Sequence, residues 1–167
     1  MENNILHDHS GKITQRVFLR SISILYLALL LVPIIFGIVA YLQIGKTTID
    51  YKNTSDPFMI FVPAMAIIGF VASNLIFNNQ VYYNTHEKPL KKRIVDYQTA
   101  LLIRYASLEA PALFGVGAYL ITGNMLFMLI SALVVLYFLF VRPTRSKLIS
   151  DLELTNDENT KFEASIE

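Results

Sequence analysis

From residue 21 to residue 43 the chain carries no charged side chain. An apolar stretch of that length matches the ~20 helical residues needed to cross ~30 Å of hydrocarbon. No other feature restricts the fold as much, because in lipid every backbone polar group must be satisfied internally, and a helix does so within one segment. The pattern recurs. Residues 57–77 are uncharged, residues 98–121 carry charge only at Arg104 and Glu109, and residues 125–141 are again uncharged and stop before Arg142-Pro143. The expected fold class is all-α: a polytopic membrane protein with four transmembrane helices, arranged as two tandem antiparallel hairpins. Only Thr122-Gly123-Asn124 separates the last two spans, a connection short enough to force them antiparallel.

Basic residues flank these runs on one side. Lys12, Arg16 and Arg20 precede the first span. Lys88, Lys91, Lys92 and Arg93 lie between the second and third, and Arg142, Arg145 and Lys147 follow the fourth. The opposite side holds Lys46 and Lys52, offset by Asp50 and Asp56. The positive-inside rule then puts both termini and the middle loop in the cytoplasm, for a protein of the bacterial inner membrane. The expected organisation is a cytoplasmic N-terminal segment (1–20), a first hairpin (21–77), a basic cytoplasmic loop (78–97), a second hairpin (98–141) and a cytoplasmic acidic tail (142–167). The first span is too long for a cleaved leader and no small-residue cleavage pattern follows it, so it is expected to remain as an anchor.

Composition narrows the chemistry. With a formal charge of +1 the chain as a whole does not suit nucleic acid. There is no cysteine, so thiolate metal sites and disulfides are excluded. His7, His9 and His86 all lie in polar segments, which argues against a haem ligated within the bilayer. No nucleophile elbow, phosphate-binding glycine loop or zinc-helix motif occurs. No catalytic residue, metal or cofactor is expected, and the chain reads as non-enzymatic. The expected partners are the bilayer itself, further copies of the chain or other membrane subunits, and anionic lipids. Lys88, Lys91, Lys92 and Arg93 are the candidate lipid contacts.

The stretch from Phe36 to Lys46 aligns with that from Phe114 to Asn124, sharing phenylalanine, two glycines, alanine, tyrosine and leucine at fixed offsets, and Pro33 aligns with Pro111. This points to a duplicated hairpin, with the copies related by an axis near the membrane normal. The alignment sets Leu31 opposite Glu109 and Tyr26 opposite Arg104, so only the second half carries charge.

Glu109 falls near the middle of its span, where an ionised and unpaired carboxylate costs several kcal/mol. It is therefore expected to face protein or water and to bind a proton or cation, in a transport or membrane-complex setting. Tyr105, four residues away on the same face, and Tyr137, at similar depth on the fourth span, are its expected partners. Arg104 is a shallower member of the group, able to anchor at the interface. The alternative is an accessory subunit of a larger membrane complex in which Glu109 stays protonated and hydrogen-bonds a neighbouring helix. Ala106, Ala110 and Gly117 form a stripe suited to close helix packing. Ser73 and Asn74 read as polar packing positions.

The run from Arg104 through Glu109, Pro111 and Gly115, with Thr122-Gly123-Asn124 and Arg142-Pro143-Thr144, resembles a family of small uncharacterised bacterial four-helix membrane proteins. A more distant similarity is to the proteolipid c subunits of rotary ATP synthases, which are hairpins with one mid-membrane carboxylate. That likeness implies a proton- or sodium-binding role for Glu109. Two departures weaken it: the first span lacks the glycine-repeat packing helix, and Glu109 sits on the first helix of its hairpin.

Overall fold

The computed structural model describes residues 3–45, 47–51, 56–84, 90–144, 147, 150 and 151. They form four α-helices: α1 (Asn3–Gln43), α2 (Phe58–Asn84), α3 (Leu90–Thr122) and α4 (Met125–Phe140). Among the described residues there is no sheet, only an isolated parallel bridge between Thr48 and Asn124. The helices outrun the apolar stretches that predict them. α1 starts at Asn3 and α3 at Leu90, so much of segments 1–20 and 78–97 is helical extension and not separate structure. Charged residues support a helix once it leaves lipid as well as they support a loop. Pro33, Pro63 and Pro111 all lie inside helices.

Arg20–Gln43 of α1 and Phe58–Asn79 of α2 are long and apolar enough to cross a membrane, and only a minor part of each is buried within the molecule. The core helix of a soluble protein would be mostly buried. Here Leu27, Ile35, Ile38 and Leu42 of α1, and Ile60, Phe61, Ile67 and Ile68 of α2, project outward. An exposed apolar surface of that kind marks a membrane or protein contact. α4 is apolar but shorter, and α3 is the least apolar of the four helices. The architecture is that of a helical membrane-associated protein.

Side-chain pairs fix the helix directions. Tyr26 meets Tyr105 and Gly37 faces Val116, so α1 and α3 run parallel. Phe77 against Tyr97 and Gly69 against Pro111 make α2 antiparallel to α3. Tyr105 on Phe138 and Gly115 against Ser131 do the same for α4. The order is up-down-up-down, and the α1–α3 pairs lie at nearly the offset of the repeat alignment.

The packing departs from two equivalent hairpins. α3 touches all three other helices, whereas α1 and α2 barely touch each other. α3 and α4 are a packed hairpin, and α1 and α2 are the outer helices laid against it. The physical reason lies in the glycines. A Cβ on Gly69 would come within 2.5 Å of the Ser107 carbonyl and 2.7 Å of Pro111, so α2 sits directly on α3. A Cβ on Gly115 would collide with the Ser131 hydroxyl, so α4 does too. These are the small-residue contacts that membrane helices use. Ala106 and Ala110 are exposed instead, and a Cβ on Gly117 would meet nothing within 4 Å. The predicted packing stripe therefore faces away from the bundle.

Candidate functional site

α3 sets the phase of every polar side chain it carries. Leu101, Tyr105, Leu108, Ala112, Val116 and Tyr119 are all buried, which defines its inward face. At ~100° per residue, Glu109 stands about 70° off the centre of that face and Arg104 about 140° from Glu109. The two charges of the span thus lie on opposite flanks of one helix.

The expectation of a buried midplane carboxylate is overturned. Glu109 is only half-buried, and it has no hydrogen bond or ion pair with any described residue. Among the described residues the only charged side chain that is buried is Arg93. No group of three or more His, Cys, Asp or Glu residues converges among them either. Tyr105 is fully buried, stacked on Phe138 and edge-on to Tyr26, and its hydroxyl has no partner; it does not reach Glu109. Tyr137 turns toward α2, donating to the Asn74 side-chain oxygen and packing on Phe70, and makes no bond to Glu109. Both readings built on Glu109 fail for this reason: a one-residue step along a helix turns a side chain by ~100° and decides what it can touch.

The structure assembles a different group. Asn74 of α2, Arg104 of α3 and Tyr137 of α4 meet where three helices converge. The Asn74 side-chain oxygen accepts from Arg104 Nη2 at 3.1 Å and from the Tyr137 hydroxyl at 3.0 Å. Its amide nitrogen donates to the Phe70 carbonyl at 3.0 Å, which orients the group. The Arg104 guanidinium lies 4.3 Å from the centre of the Phe77 ring, a cation–π arrangement, and Tyr137 packs on Phe70. Along the helix Arg104 is about 27 Å from Thr122 at 1.5 Å per residue. It therefore lies toward the end of the bundle away from the Gly123 turn, the end where Arg93 and Arg142 also stand.

The charge balance of this group is unusual. A guanidinium has five N–H donors, yet among the described residues Arg104 spends one, on Asn74, and no carboxylate pairs with it. Its Nε is buried without a partner. The Ser73 hydroxyl, one residue from Asn74, is likewise buried and unpartnered. The sequence pointed to Arg104 as an interfacial anchor and to Tyr137 as a partner of Glu109, whereas both bond to Asn74. The signal for Asn74 was present: it is an amide inside an otherwise apolar run, where an unpaired polar group is costly. Of the predicted lipid contacts, Lys92 is exposed and Arg93 buried, while Lys88 and the Lys91 side chain lie outside the described residues.

At the other end of the bundle, Thr48 and Asp50 are bonded to the turn between α3 and α4. Asn124 caps α4, its side-chain oxygen accepting from Leu126 N at 3.2 Å and from Asp50 N at 3.2 Å, while its amide donates to the Asp50 carbonyl at 2.7 Å. Thr48 adds backbone bonds to Gly123 O at 3.0 Å and from Met125 N at 2.8 Å. Gly123, at φ 69, makes the turn that places Asn124 there. On the basic side, Tyr97 donates to Asp151 at 2.9 Å. Burial, and then the negative Asp151, hold the Tyr97 hydroxyl above its ordinary range, so it stays protonated and donating.

Comparison of the chain with protein-family profiles, curated proteins and solved structures finds no match.

Proposed function

We propose that the chain is a multi-span membrane protein that seats an anionic headgroup, the phosphate of a phospholipid, against Arg104 at the basic end of the bundle. The observation that carries this reading is the guanidinium with four of its five donors unused among the described residues and no carboxylate beside it. A cation so placed near the apolar layer has to find an anion or water. The phospholipid phosphate is the abundant anion at that depth. The planar guanidinium fork suits a phosphate bidentately. Asn74 and Phe77 hold the fork in one orientation, and the Tyr137 hydroxyl, which donates to Asn74, keeps its lone pairs for a further donor. In this reading all four helices cross a bacterial inner membrane, and the basic end faces the cytoplasm, where Lys92 and Arg142 add to the attraction.

The test is lipid selectivity of the purified full chain in nanodiscs of mixed phosphatidylglycerol and phosphatidylcholine, read by native mass spectrometry. Wild type should retain phosphatidylglycerol preferentially. Arg104→Gln should lower that preference on the order of ten-fold, the equivalent of one lost charge-assisted bond of about 1.5 kcal/mol, with helix content unchanged. Competition by inorganic phosphate at equal effectiveness would reassign the site to a free anion. An Arg104→Gln protein with wild-type selectivity would sink the reading. Cysteine labelling at Asp56 and Thr144 in intact cells tests the orientation: Asp56→Cys should label from outside and Thr144→Cys should not.

A further inference from the structure

A second feature lies on the opposite side of α3, independent of Arg104. Between α1 and α4 runs an open furrow of about 240 Å³, lined among others by Pro33, Gly37, Met128, Ala132, Leu136 and Leu139. From Met128 to Leu139 it follows about 16 Å of α4. Its wall is apolar throughout except for Ser131, whose hydroxyl is already used on the Phe127 carbonyl at 3.1 Å. The furrow therefore offers nothing to a headgroup and everything to a hydrocarbon chain.

Its basic end is different. Leu139 is the last α4 residue that lines the furrow, and three residues beyond it stands Arg142, which is exposed. α1 and α4 run antiparallel, with Tyr26 donating to the Phe138 carbonyl at 3.3 Å, so Arg20 of α1 is level with Arg142 across the seam. Arg20 is exposed as well. Exposed Lys147 joins them, with its ammonium on the Phe140 carbonyl at 3.2 Å. No acidic residue lines the furrow. The nearest described carboxylate after α4, Asp151, is engaged by Tyr97 on α3. An apolar trough with exposed Arg20 and Arg142 beyond one of its ends is complementary to an acyl chain with a negative head.

We propose that the α1–α4 furrow seats one acyl chain of an anionic phospholipid whose phosphate meets Arg20 and Arg142. Ala132 sets the depth of the seat, because any larger side chain there would occupy it. The cations choose the headgroup and the furrow holds the chain.

The experiment uses the full chain in nanodiscs containing phosphatidylglycerol with a diazirine on one acyl chain, with crosslinks mapped by mass spectrometry. Labelling should concentrate between Met128 and Leu139 and on the facing part of α1. Ala132→Phe should reduce it on the order of ten-fold with helix content retained. Arg20→Gln combined with Arg142→Gln should reduce it for phosphatidylglycerol while leaving the weaker labelling by a phosphatidylcholine analogue unchanged. Uniform labelling over all outward faces would show ordinary surrounding lipid and overturn the proposal. So would an Ala132→Cys protein that crosslinks to a second copy through this position, since the furrow would then be a helix interface. Arg104→Gln should leave labelling at the furrow intact, so failure here and failure at Arg104 are read separately.

Discussion

The two ends of the bundle treat their polar side chains in opposite ways. At the turn end Asn124 is buried and both sides of its amide are spent, on Leu126 and on Asp50. The loop after α1 is thereby clipped to the turn between α3 and α4. At the basic end Asn74 is equally spent, but the residue it holds, Arg104, is not. A buried polar group with every bond made rigidifies a structure, whereas one held in place with donors to spare is prepared for something absent from the fold. The same amide side chain is a clamp in one place and a positioning device in the other.

The largest effect that could break this contrast is expected at Asn124. Asn124→Ala removes the α4 cap and strands the Asp50 backbone groups, a loss of about 2–3 kcal/mol from the cap and the unmade bonds. Unfolding in detergent should show it, while lipid selectivity stays that of wild type. A change in selectivity would mean the clamp also shapes the binding end.

Next comes Arg104→Lys, which keeps the charge but loses the fork and most of the stacking on Phe77. Selectivity for phosphatidylglycerol should fall by about 1 kcal/mol, less than in Arg104→Gln. Equal losses in the two variants would favour geometry over charge. Tyr137→Phe removes one hydrogen bond to Asn74 and should cost ~0.6 kcal/mol of stability, the average for interhelical bonds in membranes. If it abolishes selectivity instead, the hydroxyl contacts the anion directly.

The smallest effect is expected at Glu109. As a half-buried carboxylate without a partner among the described residues, Glu109→Gln should shift stability by less than about 0.5 kcal/mol. A large loss of stability or function would reinstate a role that its position on α3 does not support.

Part of the candidate site is legible in the sequence. Arg104 stood out because charge is scarce in apolar runs, and Tyr137 was reached only by its expected depth opposite Glu109. Asn74 was visible as a polar exception but not as the residue that joins them, since it belongs to a helix distant in sequence. Glu109 shows the limit of depth as a guide. Position along a helix gives depth, but the direction a side chain faces depends on which neighbours the helix acquires. The same limit applies to Ala106, Ala110 and Gly117. They have the size for close packing, yet the bundle formed on Gly69 and Gly115.

What the sequence determined by itself was local and statistical: helices where apolar residues run long, a tight turn at Gly123, and a basic end set against a less basic one. These follow from backbone hydrogen bonding and side-chain solvation, which each segment satisfies alone. What only the tertiary structure decided was which helix became central. Steric fit at two glycines placed α3 against α2 and α4 and left α1 and α2 almost out of contact. That choice set the rotation of α3, turned Arg104 toward Asn74 and Tyr137, and left Glu109 on the flank. Rotation about a helix axis is fixed by the fit of side chains from distant parts of the chain, and no single segment encodes it.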